Sequence, residues 1–262
     1  MMNPPSATAF APSPWRALGG LWFLQSRMFL NARYWLRTLG LLALLGVLAA
    51  YTTDPSNFCD WLSGFYLQCL VPAAAFMLTA GAIRDDLQPG VGDYLFTRPI
   101  RRPVYLGLRY LTKTAALQIE FLLALGALTA IGVYKDAPAI LPLLPSLLVA
   151  QALMLGVFGA FGLLAAILTR RYALLGIAYG ALVEAGLGSV PTTLNQLSMT
   201  HQIARILAPS LADPRAGNAL AFFASSPEWA AFGIVATATF GALALTAVVF
   251  SQQERSGGAP EN

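Results

Sequence analysis

LLPSLLVAQALMLGVFGAFGLLAAIL, running from Leu143 to Leu168, contains no charged side chain. A helix needs roughly 20 apolar residues to cross the hydrocarbon core of a bilayer, and this run exceeds that length. Similar runs occupy Thr38 to Thr53, Phe58 to Ile83, Thr114 to Tyr134, Tyr172 to Val190 and Trp229 to Phe250. The first is short by itself and becomes adequate once Trp35 and Leu36 join its helix. The pattern predicts six transmembrane helices. Between the fifth and sixth lies a more polar segment, Pro191 to Glu228, interrupted by Pro209, Pro214 and Pro227.

Composition supports an all-α polytopic membrane protein. The chain has 262 residues, 57% hydrophobic and only 11% charged, and a mean hydropathy of +0.63. That charge content is less than half the usual share of a soluble domain, which excludes an ordinary cytosolic enzyme. Disorder, collagen and a disulfide-stapled secreted module fail on the same figures. Six spans with their loops consume the length, so a single transmembrane domain is expected over 15–250. It is flanked by a disordered N-terminal tail, 1–14, and a cytoplasmic C-terminal tail, 251–262. Residues 1–14 lack the charged start and apolar core of a cleaved signal. Cys59 and Cys69 would sit about 15 Å apart along one helix, beyond the roughly 7 Å that a disulfide spans, so both are expected as free thiols.

Basic residues set the orientation. With a cytoplasmic N-terminus, thirteen of the 16 Lys and Arg residues fall on the cytoplasmic side, leaving Lys135, Arg205 and Arg215 outside. Both termini are then cytoplasmic. Scattered between apolar runs, these charges make no nucleic-acid surface. Arginine outnumbers lysine, and alanine and leucine are abundant, a composition that hints at a GC-rich bacterium and hence a bacterial inner membrane. Ahead of the first span, Trp15 to Arg37 places Arg16, Arg27, Asn31 and Arg37 towards one side and Leu18, Leu21, Trp22, Phe29 and Leu36 towards the other. Such a helix suits the headgroup layer as an amphipathic elbow; the plainer reading extends the first span.

Spans two and three are joined by a loop dense in charge and punctuated by Pro and Gly: Gly81-Ala-Ile-Arg-Asp-Asp-Leu-Gln-Pro-Gly-Val-Gly-Asp-Tyr-Leu-Phe-Thr-Arg-Pro-Ile-Arg-Arg102. It reads either as a protein-facing surface or as a solvated loop whose arginines bind anionic lipid. In this stretch the chain resembles permease subunits of type 2 ATP-binding-cassette (ABC-2) exporters. In that family an acid ends span two, followed by Gly-Thr, a second acid, and Ser-x-Pro-hydrophobic-x-Arg leading into span three. Asp86 falls on the first acid, Gly90-Val91 on Gly-Thr, Asp93 on the second acid, and Thr97-Arg98-Pro99-Ile100-Arg101-Arg102 on the closing motif. Asp replaces the usual Glu, Val91 replaces Thr, and Pro89 is extra.

The resemblance covers nearly the whole chain. It implies the elbow helix over 15–37, six spans, a coupling loop over 84–113 and short extracellular helices within 191–228. It also implies that Asp85, Asp86, Gly90, Asp93, Thr97, Arg98, Pro99, Arg101 and Arg102 meet two copies of a separate cytoplasmic ATPase. A second permease copy, identical or not, would complete a dimeric pathway. The chain carries no Gly-x-x-x-x-Gly-Lys-Ser/Thr loop, since its only lysines, Lys113 and Lys135, follow Thr and Tyr. ATP and Mg would therefore bind the partner, and this chain would hold no cofactor and catalyse nothing.

Within the membrane, Glu120 and Glu184 are candidate pathway residues. A carboxyl at depth costs on the order of 2.5 to 3.5 kcal/mol and must face protein or water or be protonated, and a hydrogen-bonded or protonated structural carboxyl is the plainer reading. Gly176 and Gly180 form a small-x-x-x-small pattern that serves either a dimer contact or packing within one subunit. His201 is the single histidine, which excludes a metal site built on several imidazoles. Two other classes stay open: an ATP-independent carrier using the two glutamates, and a membrane-embedded enzyme or regulatory scaffold. The enzyme lacks a nucleophile with its base, and the carrier lacks an evident inverted repeat.

Overall fold

The structure is a computed structural model describing residues 16, 19, 20, 22, 23, 32–51, 55–88, 102–137, 140–187, 197–211 and 229–256. Among these, all regular structure is helical. Helix α1 spans Ala32–Tyr51. Then α2 (Pro55–Trp61), the π-helical stretch π1 (Leu62–Leu70) and α3 (Val71–Asp86) follow one another without a break. Next come α4 (Arg102–Tyr134), α5 (Ile140–Leu168), α6 (Tyr172–Tyr179), the π-helical stretch π2 (Gly180–Leu187), α7 (Met199–Leu211) and α8 (Trp229–Ser256).

Four helical stretches are long and apolar enough to cross a membrane: Asn57–Asp86, Pro103–Tyr134, Ile140–Leu168 and Trp229–Gln252. The expected first and fifth spans correspond to shorter apolar helices, Thr38–Tyr51 and Tyr172–Gly186. Ala32 to Arg37, expected at the end of the elbow, instead continue directly into α1. Arg16, Gly19, Gly20, Trp22 and Phe23 are helical, and the rest of the elbow lies outside the described residues. The 1–14 tail also lies outside them. Helix α8 runs to Ser256, six residues into the expected tail.

Helix α4 begins at Arg102, well before the apolar run at Thr114. Pro103 suits a first turn, where its missing N–H costs nothing. At 33 residues the helix is about 50 Å long, so a polar turn or more projects beyond a core of about 30 Å. Its other end closes in a Schellman motif. Ala137 N–H donates to Gly132 O (2.9 Å) and Asp136 N–H to Val133 O (3.1 Å), with Asp136 left-handed at φ 56°. The next cation is used twice: Lys135 Nζ donates to the carbonyls of Ala49 (2.7 Å) and Ala50 (3.3 Å) at the end of α1. A positive charge there satisfies orphan carbonyls and complements the helix dipole.

Helix α5 is the central element, apolar on all sides and buried along most of its length. A large core gathers around it from α1, α2, π1, α3, α4, α7 and α8, including Leu45, Phe58, Leu62, Tyr66, Phe121, Leu125, Met154, Phe158 and Ile203. A smaller cluster, Ile83, Tyr105, Leu106, Tyr110, Leu163, Ile167 and Phe250, fills the end where α3 stops and α4 starts. Closest approach is at Gly162, where an added Cβ would run into the carbonyl of Phe76, so the backbones of α5 and α3 touch. Helix α6 is peripheral and none of its residues is buried.

Candidate functional site

The last residue of α3, Asp86, carries a negative charge at a helix C-terminus, which the helix dipole disfavours. Helix α4 supplies the compensation. Arg109 approaches Asp86 with two of its three nitrogens: Nε lies 2.7 Å from Oδ2, and the terminal Nη2 donates to Oδ1 at 3.0 Å. One turn earlier, Tyr105 donates its hydroxyl to Oδ2 at 2.6 Å. Residues four apart share a helix face, so Tyr105 and Arg109 converge on one carboxylate. The ion pair is largely shielded, with 14% and 18% of the two side chains accessible. It clamps the two helix ends that flank residues 89–101.

Asp86, expected to face a partner, thus spends its carboxylate inside the chain. Its neighbour Asp85 is exposed and accepts a long contact from the Gln88 amide at 3.5 Å. Gly90, Asp93, Thr97, Arg98, Pro99 and Arg101 lie outside the described residues, and Arg102 opens α4. Tyr105 and Arg109 are the participants that sequence reasoning missed. Their spacing of four at the start of a helix, just after an acid, was the available signal.

At the opposite end Glu184 caps a helix from outside it. Residues five apart on an α-helix point roughly 140° away from each other. Glu184 nevertheless meets Tyr179, whose hydroxyl donates to Oε1 at 2.8 Å, because π2 begins at Gly180 and its i to i+5 bonding turns the two side chains together. Oε1 also accepts the backbone N–H of Met199 at 3.1 Å. Oε2 accepts the Ser198 hydroxyl at 2.6 Å and the N–H of Thr200 at 3.1 Å. Ser198 is itself the N-cap of α7, its oxygen accepting the N–H of His201 at 3.1 Å.

An anion at a helix N-terminus meets both free N–H groups and the positive end of the dipole. Here one carboxylate and one hydroxyl satisfy the first three N–H groups of α7. The Tyr179 ring is fixed from the other side, edge-on to Phe161 (5.5 Å between centroids) and Phe158 (6.2 Å) of α5. His201, in the first turn of α7, is held below the ordinary imidazole range by burial and then by the charge of Arg205.

Glu184 borders a half-open cavity of about 540 Å³ between π1–α3 and α6–π2, which Gln68, Phe76, Phe158, Tyr179 and Thr200 also line. The two glycines of the small-x-x-x-small pattern divide there. A Cβ at Gly176 would lie 2.5 Å from the Phe76 ring, so that glycine packs within its own chain, whereas Gly180 faces open space at the cavity wall. Glu120 is not brought to this cavity. Buried on α4, it accepts the Thr38 hydroxyl of α1 at 3.4 Å. Among the described residues, no group of three His, Cys, Asp or Glu side chains gathers as a metal site would require. Cys59 is buried, Cys69 is exposed, and neither is in a disulfide. No protein-family model matches this chain, and no curated protein matches it.

Proposed function

We propose that this chain is the permease subunit of an ABC-2-type exporter, one half of a dimeric membrane pathway driven by a separate ATPase. One observation carries the reading: the Asp86–Arg109–Tyr105 clamp ties the ends of α3 and α4 and so gives residues 89–101 a fixed base. A segment that passes force from a moving partner needs such a base, because slack at its root would dissipate the motion. The residues on that base are those with the family-like pattern, Asp93 and Thr97 to Arg102.

In this reading α1 and α6–π2 are the first and fifth of six spans, shorter than the rest. The Asp86 end is cytoplasmic, as are both termini, and α7 lies on the outer side of a bacterial inner membrane. Arg98, Arg101, Arg102, Asp85 and Asp93 make the charge-assisted contacts to the ATPase, while Asp86 positions the loop. The ATPase binds ATP and Mg; this chain is a transport subunit and not an enzyme. The second permease copy meets the exposed side of the fifth span, at Leu174, Ile177 and Leu182, with lipid covering the rest. Glu184 borders the pathway, and Glu120 is a packing residue.

Cysteine cross-linking tests this directly. An Arg101→Cys variant in native-host membranes should join to a nucleotide-binding subunit in an ATP-dependent manner, and a cysteine at Tyr134 should not. Equal capture from both positions, or from neither, contradicts the reading.

A further inference from the structure

The cavity beside Glu184 is polarised along its length. Span two and the α6–π2 helix run antiparallel, with Phe76 set against Gly176 near one end and π2 carrying Glu184 to Ser198 and Thr200 at the other. Phe76, Met77 and Ile177 therefore line the end nearer Asp86, and Gln68, Glu184 and Thr200 the end nearer α7. An apolar trough with polar groups at one mouth matches a molecule with a tail and a head. Its volume of about 540 Å³ lies within the roughly 300–1,000 Å³ of small-molecule sites.

Charge selects the head. Glu184 is the one carboxylate in the lining, and no Lys, Arg or His accompanies it. In surroundings this apolar, an anionic head would be repelled with little screening and a cationic one attracted. The half-buried Gln68 amide lines the same end as Glu184, and its oxygen can take a donor from the head. We infer that this cavity binds an amphipathic cation, its ammonium-type head at Gln68 within the field of the Glu184 carboxylate and its apolar tail towards Phe76 and Met77. The carboxylate's own acceptor positions are filled by Tyr179, Ser198, Met199 and Thr200. As a cargo site the cavity rests on the permease reading; as a binding site it does not.

Cys69 lines the same cavity and is exposed, whereas Cys59 is buried, so maleimide modification of Cys69 reports occupancy. The full-length chain in phosphatidylcholine nanodiscs is labelled with and without dodecylamine, and separately with dodecanoate, with Cys69 quantified at the peptide level. Dodecylamine at about ten times its Kd should slow labelling about tenfold and saturably, and dodecanoate should have little effect. Gly180→Leu projects into open cavity space and should abolish protection while the chain keeps its melting temperature. Gly64→Leu repeats the test from the facing wall, where there is also room. Absence of saturable protection, equal protection by both heads, or protection that survives both substitutions would overturn the inference. None of these readouts involves the ATPase, so cross-linking can fail while binding succeeds, or the reverse.

Discussion

Glu184 and Ser198 are 14 residues apart in the chain and 2.6 Å apart in space, the hydroxyl of one donating to the carboxylate of the other. Together they hold the start of α7, Ser198 as its N-cap and Glu184 as an acceptor for the next two N–H groups. Replacing the serine removes a cap worth about 1 kcal/mol. Replacing Glu184 with Ala leaves two backbone donors and two hydroxyls without that acceptor, at about 1–3 kcal/mol. Hydrogen exchange across 199–203 should accelerate in Ser198→Ala and more so in Glu184→Ala. The double variant should lose less than the sum, since the residues share one bond. Strict additivity would mean that the two caps act separately.

The same end of the molecule should respond to acid. The folded-state pKa of His201 lies below its unfolded value, mainly through burial and then through Arg205. Between the two values the unfolded segment binds more protons, so docking of α7 is fully stable above about pH 6.5 and weakens as pH falls through that window. His201→Gln should flatten the part of the exchange-versus-pH profile that lies between pH 7 and 5. An unchanged profile would assign the acid response elsewhere.

At the opposite end, Asp86→Ala breaks a shielded, two-point ion pair and strands Arg109. It should lower stability by about 2 kcal/mol, read as a drop in melting temperature in detergent. Tyr105→Phe should cost about 1 kcal/mol. In the proposed reading Arg98 and Arg101 face the ATPase, so Arg98→Glu and Arg101→Glu should leave melting unchanged. If Asp86→Ala melts like the parent chain, the clamp does not hold the loop.

Three glycines should separate sharply under substitution by alanine. Gly162→Ala pushes against backbone, which cannot rotate away, and should cost about 3 kcal/mol. Gly176→Ala meets the Phe76 ring, which can shift in part, and should cost about 1 kcal/mol. Gly180→Ala meets nothing and should stay within about 0.5 kcal/mol. Thermal unfolding of the three variants gives the ranking, and a large loss at Gly180 would show that another surface covers it.

Hydropathy makes the spans legible because burial in lipid demands apolar residues in unbroken runs. It therefore reads the end of α5 to the residue but its start three residues late, and places the start of α4 later still. Arg109 and Lys113 end the apolar signal while the helical hydrogen bonds continue back to Arg102. The π-helical stretches leave no mark on the sequence, since a wheel of 100° per residue puts Tyr179 and Glu184 on different faces. Glu184 stands out as an acid within an apolar run, but its partners do not, because Ser198 lies 14 residues further along the chain. A Ser three residues before His201 and ahead of Ile203 and Ile206 is a visible cap signal. Arg109 is visible as a topology charge, and only the fold reveals that it faces Asp86.

In the proposed reading this chain works through an ATPase docked on the loop that follows Asp86. The most direct test is copurification of the full-length chain from native-host membranes in mild detergent, followed by mass identification and assay of ATP hydrolysis. The account predicts a stoichiometric nucleotide-binding subunit, retained by the parent chain and shed by Arg98→Glu and Arg101→Glu at unchanged melting temperature. An intact, stable preparation that brings down no such subunit would contradict it.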